Sequence, residues 1–216
     1  MIDSATYIKT LNATDCNTTD AHAVGLSFPQ RYNEVMFPSI SDLEYHFDAT
    51  DIETGEVFPL RRIYRPANNQ QHITGITEFI RTKGLQCGDI LCLERRTNIV
   101  DATKKTQYFL DIVKRTSILI LQKNKNGYMI IRNDIGPGYS ESIRDVLFQG
   151  RVKALNIAFS KSEKRRQDSS TSDDFYSVTL DNEDVRVFIK HPFIEIDATT
   201  HIIRGIDDVQ FVIINQ

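Results

Sequence analysis

"YIKTLNATDCNTTDAHAVGLSFPQRYNEVMFPSI", residues 7–40, is the stretch that decides the fold. It begins in an alternating polar and apolar run, passes through a polar loop with one histidine, and continues into the apolar segment VGLSF. Such runs, separated by turn-forming residues, are typical of β-strands. Pro29 then opens a pattern with Tyr32, Val35 and Met36 on one side, which predicts a short helix.

Further β-rich segments follow this stretch. We predict seven strands in the first 123 residues, at 5–11, 23–28, 42–49, 57–64, 88–95, 107–114 and 116–122. A second short helix is predicted in TGITEFIRTKG, residues 74–84, which repeats Ile76, Phe79 and Ile80 and ends at a glycine. Because strands and helices do not alternate as βαβ units do, the pattern favours a closed or half-open antiparallel barrel within a mainly β (α+β) fold.

The chain is expected to divide at the turn-rich segment QKNKNG, with a first domain over residues 1–123 and a smaller α+β extension over 124–216. In the extension the pattern predicts a strand at YMIIR, a helix within YSESIRDVLFQ, and strands at 151–158, 184–189 and 208–214. Residues 160–174 are dense in charge and serine, which predicts a mobile loop.

The overall composition limits the functional classes. The net charge of −3 over 216 residues argues neither for nor against a polyanionic partner. The three cysteines, Cys16, Cys87 and Cys92, are too few for a disulfide framework or a zinc site, and we interpret them as free thiols. The start MIDSATYIKT does not have the pattern of a signal peptide, and no apolar run approaches the length of a membrane span. We therefore expect a soluble, cytoplasmic protein without a membrane partner.

The charges are unevenly distributed along the first domain. Residues 37–57 contain six carboxylates and no lysine or arginine, whereas residues 61–96 contain seven basic side chains against three acidic ones. Two explanations fit this pattern. The charges can be the solvated faces of a mixed sheet, with Arg61 pairing to the acidic strand. Alternatively, the basic stretch can form a surface that contacts phosphate.

Residues 7–40 resemble the start of the DNA-recognition (effector) domain of EcoRII-type restriction endonucleases, in the B3-like DNA-binding pseudobarrel family. The resemblance continues through RRIYR and GITEFIRTKGLQCGDILCLER and covers about residues 5–123. It implies a seven-stranded, B3-like open pseudobarrel with two short helices, which grips the major groove of double-stranded DNA between two arms. By position, the N-terminal arm is residues 13–23 and the C-terminal arm is residues 65–72.

Both arms contain side chains of the types that read base edges in the major groove. In the N-terminal arm the candidate DNA-binding residues are Asp15, Asn17, Thr18, Thr19, Asp20 and His22. In the C-terminal arm they are Asn68, Asn69, Gln70, Gln71 and His72. Candidates for phosphate or guanine contacts at the base of that arm are Arg61, Arg62 and Arg65, and candidates for phosphate contacts alone are Lys9, Arg81, Lys83, Arg95 and Arg96. Asn- and Thr-rich loops also occur as plain turns that satisfy their own backbone.

No nuclease motif of the commonest type II class is present, because none of the eleven lysines has a carboxylate two residues before it. We therefore predict a non-catalytic DNA-recognition domain without a cofactor, whose nuclease domain or subunit lies elsewhere on the polypeptide or on a partner. An alternative is a metal-dependent nuclease or hydrolase around Glu195 and Asp197 in HPFIEID. A third reading, a protein-interaction module, is disfavoured because the amide-rich segment 68–71 offers no apolar anchor.

Overall fold

The computed structural model describes residues 2–16, 25–38, 42–66, 70–100, 103–136, 144–160 and 175–215. The chain forms two compact units. Unit 1 comprises Met1–Lys114 with Val209–Gln216, and unit 2 comprises Arg115–Asp208. The division thus follows Lys114, whereas the sequence pattern puts it after residue 123, and the last strand belongs to unit 1 because it pairs with the first strand of the chain.

Unit 1 is a curled eight-stranded sheet with three short helices. Its strands are β1 (Ile2–Thr10), β2 (Leu26–Ser27), β3 (Glu44–Asp51), β4 (Val57–Arg65), β5 (Gln70–Thr74), β6 (Ile90–Val100), β7 (Thr103–Val113) and β16 (Val209–Asn215). Its helices are α1 (Ala13–Cys16), α2 (Asn33–Met36) and α3 (Ile76–Lys83). The strand order is β16-β1-β6-β7-β3-β4-β5-β2, in which only β3 and β7 pair in parallel.

The predicted mainly β pseudobarrel is confirmed. Alternate residues of each strand face a single core, which includes Tyr7, Phe47, Leu60, Ile73 and Leu93. Both predicted helices are present. A 3-10 turn at Gln30–Tyr32 leads into α2, and α3 buries Ile76, Phe79 and Ile80 and ends at Gly84.

One strand of unit 1, β5, was not predicted from the sequence. Its first three residues lie in the segment predicted as the C-terminal arm, and Thr74 lies in the segment predicted as the second helix. It is nevertheless held on both sides, by β4 and by β2, so its backbone hydrogen bonds are satisfied regardless of its polar side chains.

Unit 2 is built around a second sheet. Its strands are β8 (Ile118–Lys123), β9 (Tyr128–Asn133), β10 (Arg144–Phe148), β11 (Arg151–Ser160), β12 (Phe175–Leu180), β13 (Glu183–Asp184), β14 (Phe193–Asp197) and β15 (Ile203–Ile206). The order is β10-β11-β12-β9-β8-β14-β15, and β13 pairs with β12. The core of the unit comes from the inward residues of these strands, such as Leu119, Leu155, Val178 and Ile194.

Two predictions for this unit were wrong. The helix predicted within YSESIRDVLFQ is the strand β10 over its described part, because Val146 and Phe148 alternate inward and the Gln149–Gly150 turn, with positive φ at both residues, folds β10 back on β11. The strand predicted at 184–189 is a 3-10 turn at Val185–Val187, with Asp184 as its N-cap. The loop predicted at 160–174 lies outside the described residues except for Ser160, which ends β11.

Across the described ranges, no helix is long and apolar enough to span a membrane.

Candidate nucleic-acid interface

Three neighbouring strands of unit 1 anchor the ends of both predicted arms. Strands β4 and β5 form a hairpin that closes at the Arg65–Gln70 pair, so residues 70–72 of the predicted C-terminal arm belong to β5. The N-terminal arm returns to the sheet at β2, which pairs with β5 through Leu26–Ile73 and Ser27–His72. One end of the N-terminal arm and the C-terminal arm, which lie about 50 residues apart in the sequence, therefore reach the same three neighbouring strands.

The entry of the N-terminal arm into the sheet requires a glycine. Gly25 is buried against β5, and a β-carbon at this position would lie 2.6 Å from the carbonyl carbon of Ile73 and 2.9 Å from Cγ2 of Thr74. Both distances are shorter than carbon atoms tolerate, so a side chain at this position would separate β2 from β5. Glycine allows the two backbones to approach closely.

The outward-facing side chains of these strands form a polar surface, which we call the outer face. It consists of Glu44 and His46 on β3, Arg61, Ile63 and Arg65 on β4, His72 and Thr74 on β5, and Ser27 on β2. Their inward-facing neighbours are core residues such as Phe47, Leu60 and Ile73. The period of two in a strand thus gives these strands one apolar face and one face that suits a polar partner.

Three residues on the outer face, His46, Arg61 and Thr74, are directly opposite one another on adjacent strands and form what we call the cross-strand row. Arg61 donates from Nε to Oγ1 of Thr74 at 3.3 Å and from NH1 to Oε1 of Glu44 at 3.1 Å. His46 Nε2 lies 2.9 Å from the same Glu44 oxygen. The hydrogen bonds to His46 and Arg61 hold the pKa of Glu44 below its usual value. The expected pairing of Arg61 with the acidic strand is thus present.

Two predicted residues of the N-terminal region pair with each other inside the unit. Lys9 Nζ lies 3.4 Å from Oδ2 of Asp15, and both side chains are almost fully buried. Asp15 also accepts a hydrogen bond from the backbone nitrogen of Asn12 and donates its own backbone N–H to the Asn12 side chain. The two residues therefore fix the start of the N-terminal arm from the inside.

Two predicted arginines are also buried. Arg62, which is 2% exposed, donates to Oδ1 of Asn33 and to the carbonyl oxygen of Asp42, and burial lowers the pKa of its guanidinium. Arg95 forms an ion pair with Asp3 at 2.8 Å, and its own side chain is 5% exposed. Neither guanidinium is accessible to a large ligand in this conformation.

The base of the C-terminal arm combines buried and exposed polar groups. Arg65 is exposed, Gln71 is 3% exposed, and His72 is half-buried. Oε1 of Gln71 and Nδ1 of His72 are buried without a hydrogen-bond partner. The backbone carbonyl of Gln71 accepts the N–H of Phe28, which extends the β2–β5 contact towards the arm.

The remaining described candidates lie on α3 and β6. Arg81 is exposed near the C-terminal end of α3. Lys83 forms ion pairs with Asp51 at 2.5 Å and Glu53 at 2.8 Å, and these bonds raise its pKa. Arg96 donates two hydrogen bonds to Glu94 and lies 4.3 Å from the ring centre of Phe109.

Seven candidates from the sequence lie outside the described residues: Asn17, Thr18, Thr19, Asp20, His22, Asn68 and Asn69. Gln70 is described in its backbone alone. The roles assigned to these residues stay predictions.

Sequence reasoning missed the apolar Ile63 and four polar residues of the outer face: Ser27, Glu44, His46 and Thr74. The signal for Glu44 and His46 was the alternation of EYHF, in which Tyr45 and Phe47 face inward and the polar pair outward. Ser27 and Thr74 had no such signal, because only the pairing of β2 with β5 brings them to the same surface.

The pH dependence of unit 1 stability is expected to involve Asp51. Burial raises the pKa of this carboxyl, but hydrogen bonds from Lys83 and Thr54 outweigh burial and keep it below the ordinary value of 3.8. A group with a lowered folded pKa stabilises the native state above its unfolded pKa, and this stability is lost as the pH falls through the folded value. We expect the stability of unit 1, measured by hydrogen exchange of the β3 and β4 amides, to fall more steeply below about pH 4 in the wild type than in Asp51→Asn. The exposed Asp48→Asn serves as the control, and equal slopes in all three proteins would contradict the assignment.

The acidic cluster of the alternative hypothesis lies in unit 2. Glu195 is 1% exposed, and its two carboxylate oxygens accept hydrogen bonds from Arg115 and Arg204. Oδ1 of Asp197 accepts the backbone N–H groups of Thr199 and Thr200. Within the described part of the chain, no group of three or more His, Cys, Asp and Glu side chains is arranged to hold a metal ion. The donors that a metal would need are already used by arginines and by a turn.

No family model and no curated protein matches the chain. Among solved structures, an Arabidopsis FUS3-DNA complex aligns at 18% identity and a TM-score of 0.38, covering 50% of this chain and 96% of that one. The B3 domain of the UbaLAI restriction endonuclease, solved with cognate DNA, aligns at 18% identity and a TM-score of 0.35, covering 51% of this chain and 67% of that one.

A B3 domain is thus among the structural neighbours of the chain, as the sequence resemblance predicted. At these identities and TM-scores no residue roles are carried over from either neighbour.

Proposed function

We propose that this chain binds double-stranded DNA in a sequence-specific manner, with the outer face against the duplex and exposed side chains of the segments 13–23 and 65–72 in the major groove. The observation that carries the proposal is the pairing of β2 with β5, which brings one end of the N-terminal arm to the polar sheet surface beside the C-terminal arm. A duplex reader needs side chains for base edges and cations for phosphates on the same side of the protein. The arms supply the former, and Arg61 and Arg65 of the outer face contribute to the latter.

The predicted residues then divide by burial into two roles. The exposed or partly exposed Arg61, Arg65, Arg81 and Arg96 are assigned to phosphate or guanine contacts. The enclosed Lys9, Asp15, Arg62, Arg95 and Gln71 are assigned to holding the arms and the sheet in position. Lys83 keeps a phosphate role only if duplex binding displaces its two carboxylate partners.

We further propose that the chain is the non-catalytic recognition domain of a restriction endonuclease, with the nuclease elsewhere on the polypeptide or on a partner. The sequence resemblance over residues 5–123 supports this assignment. In unit 2, Glu195 pairs with Arg115 and Arg204. This pairing also supports the assignment, because it occupies the carboxylate that the alternative hydrolase would need as a metal ligand.

Selection from a randomised duplex pool at about 0.15 M salt tests the proposal, since this salt suppresses non-specific phosphate attraction. We expect a short enriched motif. Asn69→Ala is expected to weaken binding to that motif by about 1–3 kcal/mol and to relax its sequence preference. Arg81→Gln is expected to weaken binding to all duplexes alike, and Arg151→Gln, on β11 of unit 2, serves as a charge-matched control. Failure to bind any duplex would overturn the proposed function.

A further inference from the structure

The cross-strand row is arranged around an anion, which in the free chain is the carboxylate of Glu44. NH1 of Arg61 and Nε2 of His46 converge on a single oxygen of this carboxylate, at 3.1 and 2.9 Å. Two donors from two strands that meet on one acceptor oxygen form a small oxyanion site. Its position follows from the strand register, which sets His46 opposite Arg61.

An open cavity of about 250 Å³ lies on the same residues. It is lined by His46, Pro59, Leu60, Arg61, Thr74 and Gly75. The cavity therefore presents an imidazole, a guanidinium and a hydroxyl group together. These are the donor types that bind phosphate oxygens in nucleic acids, and charged donors bind them most strongly.

The carboxylate in this site is weakly held. The side chains of Glu44, Arg61 and His46 are 47%, 43% and 73% exposed. Exposed ion pairs of this kind contribute little, because water solvates both partners and salt screens them. A DNA phosphate is part of a duplex that makes many other contacts with the protein. These contacts favour its binding, so the phosphate can displace an exposed carboxylate from Arg61 and His46.

We propose that a backbone phosphate of duplex DNA replaces Glu44 in the cross-strand row, and that Glu44 is a built-in competitor that lowers the affinity of the free chain for every duplex. This inference rests on the proposed function and adds a named phosphate site to it. The row lies where the N-terminal arm re-enters the sheet, since Gly25 packs against Ile73 and Thr74. A phosphate bound there fixes the register of the arm without reading sequence.

The first test compares duplex affinities of Glu44→Gln and the wild type. We expect Glu44→Gln to bind the selected motif and an unrelated duplex about two- to fivefold more tightly, the range that the loss of one exposed ion pair corresponds to. The slope of log affinity against log salt is expected to stay the same, because the same phosphate is neutralised in both proteins. Glu56 is an exposed carboxylate in the β3–β4 turn, and Glu56→Gln changes the net charge by the same amount. This control is expected to leave the duplex affinity and the salt slope unchanged. Unchanged or weakened duplex binding by Glu44→Gln would overturn the proposal.

The second test separates this inference from the proposed function. Inorganic phosphate is titrated into the free chain while the His46 ring is followed by NMR. We expect tighter phosphate binding in Glu44→Gln than in the wild type, and a loss of the His46 response in the double variant with Arg61→Gln. Absence of a His46 response in Glu44→Gln would overturn the anion site even if duplexes still bind. A phosphate response in a chain that binds no duplex would overturn the proposed function and support the anion site alone.

Discussion

Glu195→Ala is expected to lower the free energy of unfolding of unit 2 by about 3–5 kcal/mol, as the loss of one partner of a buried ion pair does. Glu195 lies on β14, which pairs with β8 on one side and β15 on the other, and its side chain is 2% exposed. It accepts hydrogen bonds from Arg115, whose side chain is 14% exposed, and from Nε of Arg204 at 2.9 Å. Without the carboxylate, the Arg115 charge stays in a poorly solvated position and loses the anion of this ion pair.

Hydrogen exchange of the β8 and β14 amides measures this effect, because a global unfolding curve of a chain with two compact units does not report on unit 2 alone. Glu195→Gln keeps the side-chain shape and is expected to show an intermediate loss. Glu183→Ala, exposed on β13, is the matched control. A loss for Glu195→Ala no larger than in this control would contradict the structural role and reopen the question of a catalytic one.

Gly25→Ala is expected to weaken binding to the selected DNA motif by at least about tenfold, which is the worth of one good base contact. The added methyl group cannot fit between β2 and the Ile73 carbonyl, so β2 must move away from β5. The N-terminal arm then loses its fixed end. Overpacking of this kind is also expected to cost about 1–3 kcal/mol of stability.

Gly55→Ala is the control that separates the loss of stability in Gly25→Ala from its loss of DNA affinity. Gly55 lies in the β3–β4 turn with φ of +76° and no atom within 4 Å of an added β-carbon, so alanine strains the backbone without touching a neighbour. It is expected to lose stability of a similar order, about 1 kcal/mol, and to bind DNA as the wild type does. Equal DNA affinities for Gly25→Ala and Gly55→Ala, measured by fluorescence anisotropy, would show that the β2–β5 junction does not position the arm.

Several elements of the chain were predictable because their local signals agree with their surroundings. The alternating run ending at Leu11 became β1, and the apolar repeat of Ile76, Phe79 and Ile80 became the buried face of α3. In both cases the apolar period of the sequence matches the period of the element, so burial and backbone geometry favour the same structure.

The errors have a common physical cause. The sequence QQHIT lacks a strand pattern and forms β5, and the described part of YSESIRDVLFQ has helix-forming residues and forms β10. Both segments obtain their hydrogen bonds from neighbours that are distant in sequence or lie across a tight turn. Tertiary pairing overrides local propensity there, and propensity is worth only a fraction of a kcal/mol, on the order of 0.5, per residue.

The candidate site divides in the same way. From the sequence alone came the mainly β class, the two polar arm segments, the acidic stretch beside the basic one, and the absence of the common nuclease motif. Tertiary structure decided which charges are available: it buried Lys9 and Arg62, and it brought Glu44, His46, Arg61 and Thr74 to one surface. Composition and periodicity specify what kind of element a segment forms, whereas strand order and register determine which side chains meet. Paired residues are often far apart in the sequence, so no local sequence pattern shows which of them will pair.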